Sequence, residues 1–245
     1  MPAPSLLLFA HGTSDGAGAA IADSLVADLR RAGGFSAVEA AFALQPPAPA
    51  AALTRLPPGP VAVMPLLTTG GYIAGSVLPR LLAEAGATGH AVDVLPPLGL
   101  DTEIPGLVAG LADAAITGAG LDPRTVAVLV AGHGSSRSDA SARATRGVAA
   151  ALAGRYGETG TLFLSEAPTA DAWRTVTGRA CVVVVPFFLS GGHHEDDDLP
   201  ALLRAGGGIP DGTPAQGRRL WLTPSVGRHP ALPDLIRRRA LARFA

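Results

Sequence analysis

Lysine and asparagine are absent from the 245 residues, so that all 19 basic side chains are arginine, and cysteine occurs once. A single cysteine excludes an internal disulfide and a thiolate metal cage, and it fits a reducing cytoplasm. Cys181 leads into a valine run and reads as a small core residue. A net charge of −1 gives no general attraction to nucleic acid or to an anionic membrane. The longest apolar stretch, 181–189, is broken by Pro186 and is too short to span a bilayer. No basic region precedes the short "LLLF" run, so secretion is not expected and a cytoplasmic location is. No phosphate-cradling loop and no strand-linked G-x-S-x-G is present, which argues against a nucleotide cofactor and a serine hydrolase. What remains is an ordinary globular composition, 48% hydrophobic against 16% charged, with enough apolar material for one large domain or two modest ones.

An internal repeat organises that material. Aligning Pro65 with Pro186 matches "P-x-x-x-x-G-G" and then "L-P-x-L-L" without a gap. Upstream, "LLLFAHGTSD" (6–15) pairs with "AVLVAGHGSSR" (127–137), setting His11 against His133, and "AFALQPPAPA" pairs with "LFLSEAPTAD", setting Gln45 against Glu166. The chain therefore reads as two homologous halves, 1–118 and 124–245. Strands are expected near 5–10, 37–43, 60–65 and 90–95, and again near 126–131, 160–164, 180–186 and 218–222. Helices are expected in the second half near 138–153, 169–177, 196–205 and 230–243. Near-continuous apolar strands alternating with helices imply two tandem flavodoxin-like α/β lobes, each a four-stranded, mostly parallel sheet covered on both faces in the order 2-1-3-4.

That order makes strands one and three neighbours, and the crevice above their carboxyl ends is where open α/β sheets bind ligands. His133 follows the first strand of its half and His193 follows the third, so the two imidazoles should face one another, with Glu166 within reach after strand two. Neutral imidazole ligates metals and titrates near neutrality, and a carboxylate adds an oxygen ligand or a base. Glycines 132, 134, 191 and 192 allow sharp turns and leave room for a bulky ligand. The acidic run "EDDD" (195–198) reads either as dipole-complementing acids at a helix start or as a gathering point for divalent cations. His194 ranks behind His193, because adjacent side chains point apart. Ser135 and Ser136 read as caps of the following helix.

Together, "GHGSS", "SEAP" and "PFFLSGGHHEDD" resemble the class II tetrapyrrole chelatases, specifically the sirohydrochlorin chelatases of the CbiX/SirB type, over essentially the whole chain. The resemblance implies insertion of Fe2+ for siroheme, or Co2+ for cobalamin, into sirohydrochlorin, with the metal as substrate and no organic cofactor. By motif position, His133 and His193 would bind metal and accept protons, accompanied by Glu166. In the first half His11 is kept, Tyr72 stands for the second histidine and Gln45 for the acid, so one working site on the carboxyl-terminal half is expected. Tyr72 and His11 would then line a cleft whose wall the first half supplies. Sirohydrochlorin carries eight carboxylates, for which Arg137, Arg143 and Arg146, just beyond "GHGSS", are the candidate partners. A duplicated chain can build alone what a small form needs a dimer to make, so a monomer is expected. The absence of a histidine-rich segment and a cysteine cluster from the "DLIRRRALARFA" end tilts the choice towards iron.

Two other readings compete. A histidine after a first strand also suits a histidine phosphatase, but the arginine that should precede it is replaced by Ala10 and Gly132. A non-enzymatic divalent-metal carrier could use the same histidines. Turnover of a tetrapyrrole separates an enzyme from a carrier.

Overall fold

A computed structural model describes residues 3–13, 17–86, 89–135 and 138–244, so Arg137 and Ser136 lie outside the described residues. Eight strands form two four-stranded parallel sheets. In the first, β1 (Ser5–Ala10), β2 (Val38–Phe42), β3 (Gly59–Pro65) and β4 (His90–Val94) lie in the order β2-β1-β3-β4. In the second, β5 (Val126–Gly132), β6 (Glu158–Phe163), β7 (Cys181–Pro186) and β8 (Arg219–Leu222) lie in the order β6-β5-β7-β8. The expected order and all eight strands are present. β1 and β5 are buried at every position, as central parallel strands with both faces covered must be.

The helices are α1 (Ala20–Ala32), α2 (Pro49–Leu53), α3 (Leu78–Glu84), α4 (Ile104–Gly118), α5 (Ala140–Ala151), α6 (Trp173–Val176), α7 (Leu199–Ala205) and α8 (Leu232–Ala242). Five-residue π-turns, Ile73–Val77 and His194–Asp198, run directly into α3 and α7. The helix expected over 196–205 is thus a π-turn followed by an α-helix. No helix among the described residues is long and apolar enough to cross a membrane.

By contacts the chain forms two compact units, one of residues 1–101, 189–192 and 230–245, the other of 102–188 and 193–229. This partition differs from the repeat halves in two respects, the helices α4 and α8 and the segment 189–192. α4, whose apolar stripe Ile104, Val108, Ala112 and Ile116 repeats every fourth residue, packs on β5, β7 and α5 of the second unit. α8, with Leu232, Leu235, Ile236 and Ala240 inward, packs on α1 and β3 of the first. Gly191 and Gly192 belong to the first unit, where a Cβ would meet Ile21 and Thr13 respectively. The space beside these two glycines is therefore taken up by protein rather than left for a ligand.

Candidate functional site

The second unit gathers the candidate site at the carboxyl ends of β5 and β7. His133 follows β5, and its loop is shaped by the glycines on either side. A Cβ at Gly132 would strike Thr145 Oγ1 at 2.1 Å, and one at Gly134 (φ 73°) would strike Glu166 Cγ at 2.6 Å. Backbone bonds complete the turn: the His133 carbonyl accepts from the Ser165 N–H at 2.9 Å, and Ser141 Oγ accepts from the Gly134 N–H at 3.1 Å. α5 begins only at Ala140, where Ser138 Oγ accepts the first N–H, so Ser135 does not cap it as expected.

The imidazole facing His133 is that of His194, one residue beyond the position expected from the repeat. Their Nε2 atoms are 3.2 Å apart, with the rings edge to face at a centroid distance of 4.5 Å. In each ring the other nitrogen is committed. His133 Nδ1 lies 2.8 Å from the Gly134 carbonyl, which can only accept, so Nδ1 carries the hydrogen. His194 Nδ1 donates in the same way to Asp198 Oδ2 at 2.8 Å. With both Nδ1 atoms so engaged, the Nε2 atoms are the nitrogens that the two rings bring together.

His193 is exposed, and its Nδ1 pairs with Asp197 Oδ2 at 2.8 Å. Each acid of the "EDDD" run has a partner, one of them shared. Glu195 and Asp196 bind Arg228, Asp197 binds His193 and Asp198 binds His194. Glu195, Asp196 and Asp197 lie in the first turn of the segment that opens α7, as the helix-start reading expects.

Glu166 braces the loop. Its Oε2 accepts the Ser135 N–H at 2.8 Å, and its Oε1 lies 3.4 Å from Arg146 Nη2. Arg146 also stacks over Phe163. Arg143, largely exposed, pairs with Asp139 at 3.4 Å. Among the described residues no three or more histidine, cysteine, aspartate or glutamate side chains are grouped to hold a metal ion. The two Nε2 nitrogens of His133 and His194 are what the arrangement brings together.

In the first unit, Gln45 Oε1 accepts the Thr13 N–H at 2.8 Å, the bond that Glu166 makes to Ser135. Gly12 has φ 72° against the side chain of Gln45. His11 follows β1 and is exposed, and Tyr72, 74% exposed, precedes the first π-turn. The backbone of the site is thus repeated there without the second histidine.

His194 was legible in one respect: each of two adjacent histidines has an aspartate four residues on. A π-turn carries an extra residue and shifts the phase of everything before it, which a helical period cannot anticipate.

No curated protein sequence matches the chain. A structure described as CbiX, the terminal enzyme for siroheme biosynthesis in denitrifying bacteria, is 31% identical, with a TM-score of 0.75 over 99% of this chain and 100% of its own. A multi-domain protein of Deinococcus radiodurans with structural similarity to chelatases has the same fold at 23% identity and TM-score 0.77. That match covers 97% of this chain but 54% of the Deinococcus protein, so the chain spans about half its length. SirB of Bacillus subtilis subspecies spizizenii, a sirohydrochlorin chelatase solved with cobalt, shares the fold at 18% identity and TM-score 0.69, over 98% and 94% of the two chains. The sequence profile of the CbiX family matches twice, over residues 5–114 and 127–242, and the chain belongs to that family.

Proposed function

We propose that the protein is a metal chelatase that inserts Fe2+, or Co2+ in its place, into sirohydrochlorin, using a site on the carboxyl-terminal half. The observation that carries this reading is the 3.2 Å opposition of His133 and His194 Nε2 with both Nδ1 hydrogens already committed. At a metal–nitrogen distance of about 2.1 Å, two nitrogens so spaced subtend about 100° at the ion, between the octahedral and tetrahedral angles. With only two imidazoles offered, the remaining positions stay with water or pass to the nitrogens of the macrocycle. That suits an ion to be handed on rather than kept.

Metal insertion releases two pyrrole protons. As the ion passes to the ring, both Nε2 lone pairs are freed. One proton takes the metal's place between them and the second leaves to water, so the two protons released balance the two charges of the ion and the pair is left holding one. In this reading Glu166 holds the His133 loop and is not a ligand, and His193 with Asp197 flanks the pair. Arg143 and Arg146 are candidates for substrate carboxylates. Residues 1–118 and 124–245 are then the products of a duplication, the first with a degenerate site retaining His11 and Tyr72. The protein would act as a cytoplasmic monomer.

Anaerobic incubation with sirohydrochlorin, with Fe2+ and Co2+ in parallel, tests the reading through the visible spectrum of the macrocycle. A metal-dependent spectral change abolished by His133→Ala and His194→Ala is expected. Metal binding with an unchanged macrocycle spectrum would leave a metal carrier instead.

A further inference from the structure

Glu195 is the one acid of its run that points inward. Its side chain is 9% exposed, and Oε1 accepts from Arg228 Nε at 2.8 Å and from the Ser225 N–H at 3.3 Å. Arg228 reaches across to Asp196 as well, at 3.4 Å. Glu195 Oε2 and Ser225 Oγ are buried with no protein partner. Burying a carboxylate beside an arginine rarely stabilises a fold over an apolar alternative of similar size, and unpartnered polar atoms add to its cost.

The first half contains that apolar alternative. At the offset of 121 that pairs Pro65 with Pro186, Ala74 occupies the place of Glu195. The 3-10 turn Leu98–Leu100 follows β4 as Val226–Arg228 follows β8, and the Gly99 N–H bonds the Leu67 carbonyl as the Gly227 N–H bonds that of Phe188. Leu100 therefore stands where Arg228 does. With alanine and leucine at these two places the same five-residue π-turn forms, so the ion pair is not needed to make the turn.

What it does is fix the turn's place. Glu195 adjoins His194, and a clamp on its carboxylate from Arg228 and from the Ser225 backbone restrains the segment that sets His194 Nε2 against His133. Ångström-scale drift there would open the 3.2 Å gap beyond what one ion can bridge. We propose that Glu195 and Arg228 form a positioning latch for His194, acting on metal capture through that imidazole and touching neither metal nor macrocycle. This rests on the chelatase reading above.

The test gives the latch the residues of the other half. Full-length Glu195→Ala/Arg228→Leu is compared with wild type, Glu195→Gln and Arg228→Lys in four measurements: thermal unfolding, Co2+ titration without macrocycle, steady-state KM for metal against kcat, and long-range 1H–15N spectra of the imidazoles. The double variant should melt within a few degrees of wild type, yet its Kd and KM for Co2+ should rise about tenfold while kcat changes much less, the range seen when outer partners of ligating histidines are removed. Arg228→Lys should recover part of the loss. Wild-type Kd and KM in the double variant would overturn the latch. Should that variant unfold, unchanged Kd in both Glu195→Gln and Arg228→Lys would overturn it equally. If wild type itself binds no Co2+ through His133 and His194, the chelatase reading fails. The imidazole spectra then decide the latch, which falls if the His133 and His194 signals are the same in wild type and Glu195→Ala/Arg228→Leu.

Discussion

The connection 65–79 and its counterpart 186–200 both leave a strand at a proline, pass paired glycines, form a five-residue π-turn and enter a helix with proline near its start. In the first, none of the π-turn residues is buried and none is charged. In the second, the turn begins with a histidine, buries a glutamate and follows each of two histidines with an aspartate four residues on. The loops after β1 and β5 repeat the lesson, since a side-chain oxygen of residue 45 or 166 holds the same backbone N–H whether it belongs to an amide or a carboxylate. The path of the chain is thus a property of the fold. The chemistry lies in side chains that the path tolerates but does not require.

Mutations can break this contrast. His194→Ala and His133→Ala should each lower kcat/KM for metal insertion by roughly 10²–10⁴, since each removes half of the nitrogen pair and a proton acceptor. His11→Ala should change it little. If His11→Ala proves as damaging as His133→Ala, the two halves share the chemistry and the asymmetry is wrong. His193→Ala should fall between, at no more than about tenfold, because its imidazole flanks the pair.

Glu166→Gln sharpens the contrast at a second point. The first half makes the brace with Gln45, so the variant should fold normally and keep activity within about tenfold, the difference between a neutral and a charge-assisted bond to one N–H. Glu166→Ala leaves the part-buried Ser135 N–H without its acceptor and should destabilise the protein by about 1–3 kcal/mol in a denaturant titration. A Glu166→Gln variant as inactive as His133→Ala would instead make the carboxylate a base or ligand.

Much of this could be read before any coordinates, for reasons that differ by region. The strands were legible because buried parallel strands are continuous apolar runs, and "LLLFA" and "VVVV" admit little else. The sheet order was the common one for flavodoxin-like sheets, which the alternation of strands and helices suits but does not dictate. His133 was legible because glycines on both sides mark a crowded turn at a strand end. The choice of His194 over His193 was not, because the π-turn's extra residue has no signature in composition. The Glu195–Arg228 pair was hidden for a different reason. The partners are distant in sequence, and burial of a glutamate amid three aspartates depends on a segment after β8 that no local pattern connects to the turn. The placement of α4 and α8 was equally hidden, since each helix carries an apolar stripe that would suit either sheet.

Those two helices invite a last comparison, because both are tied by arginine–aspartate pairs and α4 has a buried phenol besides. α8 is held in its unit by arginines: Arg237 donates to the Gly33 carbonyl, and Arg239 and Arg243 pair with Asp101 and Asp93. On α4, Asp113 pairs with Arg155 and also accepts from the hydroxyl of Tyr156, 6% exposed, at 2.9 Å, and that hydroxyl lies 3.2 Å from the Ala109 carbonyl. Burial, reinforced by the bond to the Asp113 carboxylate and opposed by Arg155, pushes the Tyr156 hydroxyl up to about 12. An acid whose folded pKa is raised binds its proton more tightly when folded. The stabilisation from α4's anchor is therefore complete below about pH 10, the ordinary phenol value, and is lost as pH rises from there towards about 12. Tyr156→Phe should cost about 1 kcal/mol, or roughly 2–4 °C in Tm at neutral pH, and should flatten the fall in stability above pH 10. The ion pairs of both helices should weaken with added salt. Amide exchange followed by mass spectrometry can read the two helices separately. Alkaline pH should speed opening at residues 104–118 beyond the general rise in exchange, and more than it does at 232–242. If both helices respond alike to alkaline pH, or if Tyr156→Phe leaves the alkaline limb unchanged, the phenol contributes nothing to holding α4.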